Sequence, residues 1–319
     1  MNLDSKKKWL GIGIAAAAAA TAGLHFANRM IFSYATMKER LTEDKYYIYE
    51  WRFGRVCYTK KGEGNPVLLV HRLDWGASSR EWREVMEVLT ENHTVYTIDL
   101  IGCGRSEKPR ITYTNYLFVQ LLNDFVRDII KSKTDMVTSG KSSSLGVMAC
   151  YAEPGLYHRL IFVEPQSIAE SARVPKANHK ALKYVVELPV IGTLIYNLSS
   201  CKTAFCRNLR RIYGEQLCDP DGEMIQCMVE AAHLGGPSAR YLYASVRSHF
   251  TDIFVGTAVR NLDHSIILIG GDNEHCRAVF DEFCTYNPAV ETVFLKDCKG
   301  MPCVTDARQL AENLRIFTD

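Results

Sequence analysis

The five residues from Gly140 to Ser144 carry the strongest chemical signal in the chain. Small residues flank Ser142, as they must when a strand turns sharply into a helix and forces a serine into a strained backbone. Residues 135–139 are predicted to form a strand before this turn, and residues 145–151 a helix after it. We therefore expect Ser142 to be a nucleophile whose hydroxyl attacks a carbonyl carbon in acyl transfer.

Short β-branched runs alternate with longer amphipathic stretches from residue 46 onward, which predicts an α/β fold with a mainly parallel sheet and crossover helices. Strands are predicted at residues 46–53, 55–60, 67–71, 94–100, 160–163, 266–269 and 291–295. Five segments are therefore expected: an N-terminal hydrophobic anchor at 1–28, a linker at 29–45, the first part of the core at 46–164, a helical cap at 165–261 and the rest of the core at 262–319.

Two further strings, together with the order of elements, resemble the α/β-hydrolase superfamily over nearly the whole chain after residue 46. The string from His71 to Ser79 is similar to the superfamily's loop before its first helix, although Arg72 stands where that loop usually has glycine. The string from Asp99 to Ser106 resembles its D-x-x-G-x-G-x-S turn. The resemblance implies an α/β-hydrolase fold with a helical cap and an oxyanion hole. Backbone N–H groups of Leu73 and Ser143 would form that hole.

The same resemblance locates the partners that a serine nucleophile needs. Residues 271–274 are similar to the string that carries the superfamily's catalytic acid, so Glu274 takes the acid position, with Asp272 as a second choice. The catalytic histidine should follow the last strand, but Gly300 stands at its position and no histidine occurs after His275. Without a base, turnover by the serine falls by a factor on the order of 10⁴ to 10⁶.

Four side chains are candidates for the missing base. His275 adjoins the predicted acid loop and could turn toward the serine. Lys141 would need a strongly lowered pKa, which burial could supply. His233 and His249 belong to the predicted cap and could reach the serine only from above. An imidazole nitrogen within about 3.5 Å of the Ser142 hydroxyl would identify a working base.

Two functional hypotheses follow from these residues. The first is a degenerate serine hydrolase that binds a small apolar, ester-like ligand or a partner under its cap with little turnover. The second is a working serine hydrolase that cleaves a carboxylic ester or an amide through Ser142, with His275 or a cap histidine as the base. If only the histidine is missing, Gly300→His should create esterase activity.

The N-terminus carries a separate signal, an apolar run at residues 9–27 that follows three lysines, Lys6 to Lys8. As a helix, about 19 residues would span about 28 Å, which suits one crossing of a bilayer. We expect an uncleaved single-pass membrane anchor. A cleaved signal peptide, which would give a secreted protein, and a soluble alanine-rich helix are the alternatives.

The overall composition excludes several other classes of function. The 319 residues carry a formal net charge of +2 without a long basic stripe, so nucleic acid is not an expected partner. Eleven cysteines at irregular spacing include no CxxC pair, and we expect them to be reduced thiols. No histidine or cysteine spacing typical of a metal site occurs, and we predict neither a metal nor another cofactor.

Overall fold

The computed structural model describes residues 3–41, 45–214 and 219–318, and its central feature is an eight-stranded sheet. The strands lie in the order β1-β2-β4-β3-β5-β6-β7-β8, antiparallel from β1 to β4 and parallel from there to β8. The predicted α/β class with a mainly parallel sheet is therefore confirmed. The strand bounds are β1 Tyr47–Trp51, β2 Gly54–Lys61, β3 Asn65–Val70, β4 His93–Ile98, β5 Thr134–Ser139, β6 Tyr157–Val163, β7 Ser265–Gly271 and β8 Glu291–Leu295.

Fourteen helices are assigned within the described residues. They are α1 Leu3–Ala35, α2 Arg83–Leu89, α3 Asn115–Phe125, α4 Ser142–Ala152, α5 Ile168–Ser171, α6 Ala177–Glu187, α7 Ile191–Ser199, α8 Lys202–Tyr213, α9 Glu223–His233, α10 Arg240–Arg247, α11 Gly256–Asn261, α12 Glu274–Tyr286, α13 Pro302–Thr305 and α14 Ala307–Thr318. Between β6 and β7 the described residues form helices α5 to α11 and no strand.

Apolar side chains on both faces of the central strands hold the sheet between two layers of helices. Successive residues of a strand point to opposite faces, so Val67 and Leu69 pack with α2 and α14 while Leu68 and Val70 pack with α3. A parallel sheet covered on both faces needs such continuous apolar strands. The carboxyl ends of β3 and β5 to β8 thus lie along one edge, where the candidate site is built.

Helix α1 continues to Ala35, through part of the segment that the sequence assigned to a linker. Its last turns pack on the helices between β6 and β7. The Asn28 side chain donates to the Val190 carbonyl at 3.2 Å, and the buried Phe32 ring contacts the rings of Tyr196 and His233. Within the described residues, no single helix has both the length and the apolar composition needed to cross a membrane.

The Asp99 carboxylate, at the end of β4, holds the loops on this side of the sheet together. It is fully buried and accepts hydrogen bonds from Ser79 N at 2.7 Å, Arg105 N at 3.0 Å and Arg105 Nε at 2.8 Å. Gly104, at φ +45°, lies so close that a Cβ there would stand 2.6 Å from the carboxylate carbon. The predicted glycine-rich turn therefore serves to wrap backbone around a buried charge.

Because Asp99 is ionised in the folded protein, we expect it to make stability depend on pH. Burial opposes ionisation, but Arg105 and the surrounding donors outweigh it and lower the pKa of Asp99 to about 2. Its contribution should be complete above pH 4 and lost as the pH falls toward 2, amounting to about 2 kcal/mol. Urea unfolding of the protein at pH 5 and pH 3 measures the loss.

The matched controls are Asp99→Asn, which cannot titrate, and Asp263→Asn at an exposed position. Asp99→Asn should be less stable at neutral pH and lose less stability on acidification, whereas Asp263→Asn should behave like the unchanged protein. An equal loss between pH 5 and pH 3 in all three proteins would contradict the role given to Asp99.

Candidate functional site

The turn from β5 into α4 contains one residue with left-handed backbone, and it is Gly140, at φ +53°. Lys141 follows at φ −61° and ψ −24°, and Ser142 is already the first residue of the helix. A nucleophile elbow exposes its reactive residue at the strained point of the turn. Gly140 therefore occupies that point, two residues before the serine that the sequence analysis chose.

Ser142 and Ser143 lie below this point, in the first turn of α4. The Ser142 side chain is fully buried, and its hydroxyl donates to the His71 carbonyl at 2.6 Å. Ser143 N donates to the Gly140 carbonyl at 3.1 Å, so this predicted oxyanion donor is used within the helix. The hydroxyl and the N–H group thus both have structural partners, and the roles predicted for the two serines stay predictions.

The loop after β3 places a charged network beside Gly140. Arg72 donates from N to Glu81 at 3.0 Å and from Nε to the same carboxylate at 3.2 Å, and the Ser139 hydroxyl also donates to Glu81. Burial disfavours the charged guanidinium, but the attraction of Glu81 outweighs it and raises the pKa of Arg72. A Cβ at Gly140 would lie 3.3 Å from the Arg72 Cβ.

The Leu73 side chain belongs to the apolar core and is almost fully buried. That position fits a rigid loop beside the elbow. The role of the Leu73 N–H as an oxyanion donor stays a prediction.

The loop after β8 has no side chain where the histidine is expected, and a ring from α8 fills the space. Gly300 adopts φ +108°, and a Cβ there would stand 2.2 Å from Cδ1 of Tyr213. Burial raises the pKa of the Tyr213 hydroxyl, so the ring carries no charge at neutral pH. The expectation that Gly300→His alone would create activity is therefore unsound, because Tyr213 blocks the imidazole.

Glu164, at the end of β6, holds the same loop from the other side. Its Oε2 accepts a hydrogen bond from Met301 N at 3.0 Å, and its backbone adopts φ +46°. Burial raises the pKa of this carboxyl, although the donors around it work in the opposite direction. The sequence analysis missed both Glu164 and Tyr213, because neither lies in a motif.

The predicted acid loop begins α12 instead of meeting the serine. The Asn273 side chain caps the helix by accepting from Cys276 N at 2.9 Å, and Asp272 forms an ion pair with Arg277. Glu274 and His275 are both exposed at the start of the helix. Neither side chain is in hydrogen-bond contact with Ser142, whose hydroxyl bonds to His71 O.

Two clefts flank the centre of the site. A cavity of about 770 Å³ lies between α2, α9 and α14 and is lined in part by Arg72, Met228 and Met301. A second, of about 620 Å³, is lined by Glu164, Tyr213, Glu274 and His275 among others. Ser142 lines neither of these two clefts. The structure thus separates the predicted nucleophile from the predicted acid and base.

The remaining histidines near the site have structural partners. His71 Nε2 accepts from Leu100 N at 3.0 Å, so its other nitrogen carries the proton and donates to the Arg72 carbonyl. His233 is buried against Phe32, and burial lowers its pKa. His249 pairs with Asp252 at 2.7 Å, and that carboxylate also lies 3.8 Å from Lys141 Nζ. Among the described residues, no imidazole nitrogen hydrogen-bonds to the Ser142 hydroxyl.

Known proteins with similar structures were found across nearly the whole chain. A structure described as a membrane phospholipase A and bacterial virulence factor superposes with a TM-score of 0.65 at 16% identity, covering 98% of this chain and 97% of that one. A serine hydrolase involved in carbazole degradation gives a TM-score of 0.66 at 15% identity, covering 86% of this chain and 98% of that one. The chain therefore has the α/β-hydrolase fold.

Similarity in sequence covers a smaller part. A 2-hydroxy-6-oxo-6-(2'-aminophenyl)hexa-2,4-dienoic acid hydrolase from Metapseudomonas resinovorans is 33% identical over 100 residues, which are 30% of this chain and 34% of the relative. The chain therefore matches about a third of the length of that curated relative. No family model matches. That relative and a soluble epoxide hydrolase from a Corynebacterium, 29% identical over 110 residues, are both named as hydrolases.

We expect a side chain at position 300 to destabilise the fold through its contact with Tyr213. Gly300→Ala should lower the free energy of unfolding by about 3 kcal/mol, because the methyl group overlaps the ring and the left-handed backbone disfavours any Cβ. Gly155→Ala is the control, since a Cβ there meets nothing within 4 Å. Chemical denaturation measures both changes.

The double variant Gly300→Ala, Tyr213→Ala separates the two causes. Removing the ring should relieve the overlap but not the backbone strain, so the methyl group should cost less in this background than in the unchanged protein. Equal costs in the two backgrounds would show that Tyr213 does not fill the histidine space.

Proposed function

We propose that this chain is a degenerate serine hydrolase that binds a small amphiphilic ligand at a membrane and has little or no turnover. The observation that carries the proposal is the pair of glycines at the centre of the site. Gly140 stands at the strained point of the elbow, and Gly300 stands at the histidine position. The fold's two catalytic positions therefore offer no nucleophile and no base.

The surrounding side chains support loss of chemistry over a displaced mechanism. Acyl transfer needs a nucleophile within hydrogen-bond reach of a base, and a free oxyanion site beside it. Here Arg72 adjoins Gly140 and Tyr213 covers Gly300, so the space between the two positions is occupied by side chains. The Arg72 guanidinium is paired with Glu81, and the Tyr213 hydroxyl is neutral. Side chains of this kind suit a closed structural junction.

The larger cleft is the favoured place for a ligand. Its wall includes the apolar side chains of Met224, Met228 and Val304, while Arg83 and Glu87 are among the charged groups that line it. Methionine side chains adapt to irregular apolar ligands, and a charged rim selects a molecule with a polar head. An apolar molecule with one polar end therefore fits this cleft better than a wholly apolar one.

Attachment to a membrane is the second part of the proposal and rests on helix α1. Trp9, Ile12 and Ile14 are exposed on a helix of 33 residues whose first half projects from the packed core. The neighbour described as a membrane phospholipase A matches 98% of this chain, a coverage that takes in α1. These features support an N-terminal membrane anchor.

A fluorophosphonate probe tests the catalytic part, because it labels serine hydroxyl groups that an adjacent base activates. We expect no labelling of the protein and no hydrolysis of p-nitrophenyl butyrate above the buffer rate, with Ser142→Ala giving the same result. A working serine hydrolase of the same fold provides the positive control. Labelling that Ser142→Ala removes would overturn the proposal and restore the working hydrolase.

A fluorescent fatty acid tests the ligand part. The unchanged protein should bind it, and Met228→Trp should weaken binding about tenfold or more, because the larger ring fills the cleft. Met37→Trp is the matched control, since Met37 is exposed and lies outside the cleft. Equal binding by both variants would exclude this cleft as the ligand site, and titration of fluorescence polarisation measures each affinity.

A further inference from the structure

The chain's positive charge is concentrated in one segment of the cap. Residues 172–214 contain eight lysines or arginines and a single acidic residue, Glu187, whereas the whole chain has a net charge of only +2. Glu187 is paired with Lys183 at 2.6 Å. Lys202 also pairs with Asp221 at 2.9 Å, and α7 has no basic residue. The exposed basic side chains on α6 and α8 include Lys180, Arg207 and Arg211, on a chain whose other residues are acidic in sum.

Large apolar side chains are exposed on the same three helices. Leu182, Tyr184 and Val185 are exposed on α6, Ile191 and Leu198 on α7, and Ile212 on α8. Tyr184 has 68% of its surface exposed and Leu198 has 65%, so these are not core residues at the margin of burial. Exposed apolar groups among basic residues are typical of surfaces that meet lipid headgroups.

The corner between α6 and α7 brings this surface to helix α1. Val190, at the corner, adopts φ +62°, and its carbonyl accepts a hydrogen bond from Asn28 of α1. Asn197 of α7 donates to the same Asn28 side chain at 2.9 Å. Helix α1 carries exposed apolar residues of its own close in sequence to this contact, Phe26 and Met30.

We propose that helices α6 to α8 form a lipid-contact surface that seats the cap on an anionic bilayer. The apolar side chains enter the headgroup region, and Lys180, Arg207 and Arg211 meet the negative charge of the lipids. Basic residues near such a surface are attracted to its negative charge, and their contributions accumulate. The contact goes beyond the anchoring role proposed for α1, because it involves the cap itself and does not require α1 to enter the membrane.

A bilayer fits these helices better than a protein partner does. The exposed apolar residues are spread over three helices, whereas a peptide or helix partner is held by a few anchors in one groove. The α6 and α7 pair also meets the length and composition required of a membrane span, although a bend of 103° separates the two helices. An apolar, bent and basic surface suits shallow insertion along the plane of a membrane.

A fluorophore that reports on polarity distinguishes cap contact from anchoring by α1. It is attached to a single introduced cysteine: Leu198→Cys in the cap, Ile14→Cys in α1 or Ile316→Cys on α14. Each variant is made in the whole chain with Cys201→Ser, Cys218→Ser and Cys284→Ser. Ile316 is the matched control because it is also a highly exposed apolar residue, on the opposite side of the fold's core. Vesicles contain phosphatidylcholine with or without 30% phosphatidylserine, a composition chosen to vary surface charge.

The label at 198 should shift to the blue with anionic vesicles, and the label at 316 should not. A shift at 14 without one at 198 would overturn the cap contact while leaving the anchor of the proposed function intact. A shift at 198 without one at 14 would uphold the cap contact and overturn that anchor. A shift at neither position would overturn both proposals. If the label at 198 is already shielded from water without vesicles and the protein self-associates in solution, the surface binds a second copy of the chain, and the cap contact with lipid is overturned.

Charge reversal tests the electrostatic part of the same proposal. Arg207→Glu with Arg211→Glu should weaken binding to anionic vesicles at least about tenfold, and added salt should reduce the difference. Lys61→Glu with Lys133→Glu is the control, since these exposed lysines lie at the opposite edge of the sheet. Equal weakening by the two double variants would contradict a specific role for the cap.

Discussion

The buried carboxylate of Asp99 fixes the loops at the edge of the sheet where the parallel strands have their carboxyl ends. One side chain gathers the end of β4, the start of the helical turn at Ser79 and the turn at Arg105. A buried charge is tolerated only when its partners are held in place, so these segments keep fixed positions relative to one another. The loop that carries Arg72 ends at this junction, and its geometry follows from it.

The site combines the backbone of the α/β-hydrolase fold with glycines at positions 140 and 300. Both glycines adopt left-handed backbone, and the space around them is taken by groups from distant segments. Arg72 arrives from the loop after β3, Tyr213 from the cap and Glu164 from the end of β6. Fold similarity to hydrolases therefore carries no assurance of turnover.

Much of the fold could be predicted from the sequence, because strand and helix periodicity is local. The strand at residues 291–295 has the predicted bounds, and the absence of a histidine at position 300 was readable directly. The left-handed residue of the elbow turn, Gly140, could not be told from Ser142 in the sequence, since small residues surround both and only the backbone angles distinguish them. Tyr213 could not be found, because tertiary packing alone brings α8 to Gly300.

The ring of Tyr213 above Gly300 also bears on how the chain could evolve. A step that restores histidine at position 300 meets the ring before any activity is gained, and a step that removes the ring first opens a void in a packed junction. A nucleophile at position 140 has no value until a base exists. On the proposed function, the path to a working triad therefore passes through less stable intermediates, and single substitutions do not reach it easily.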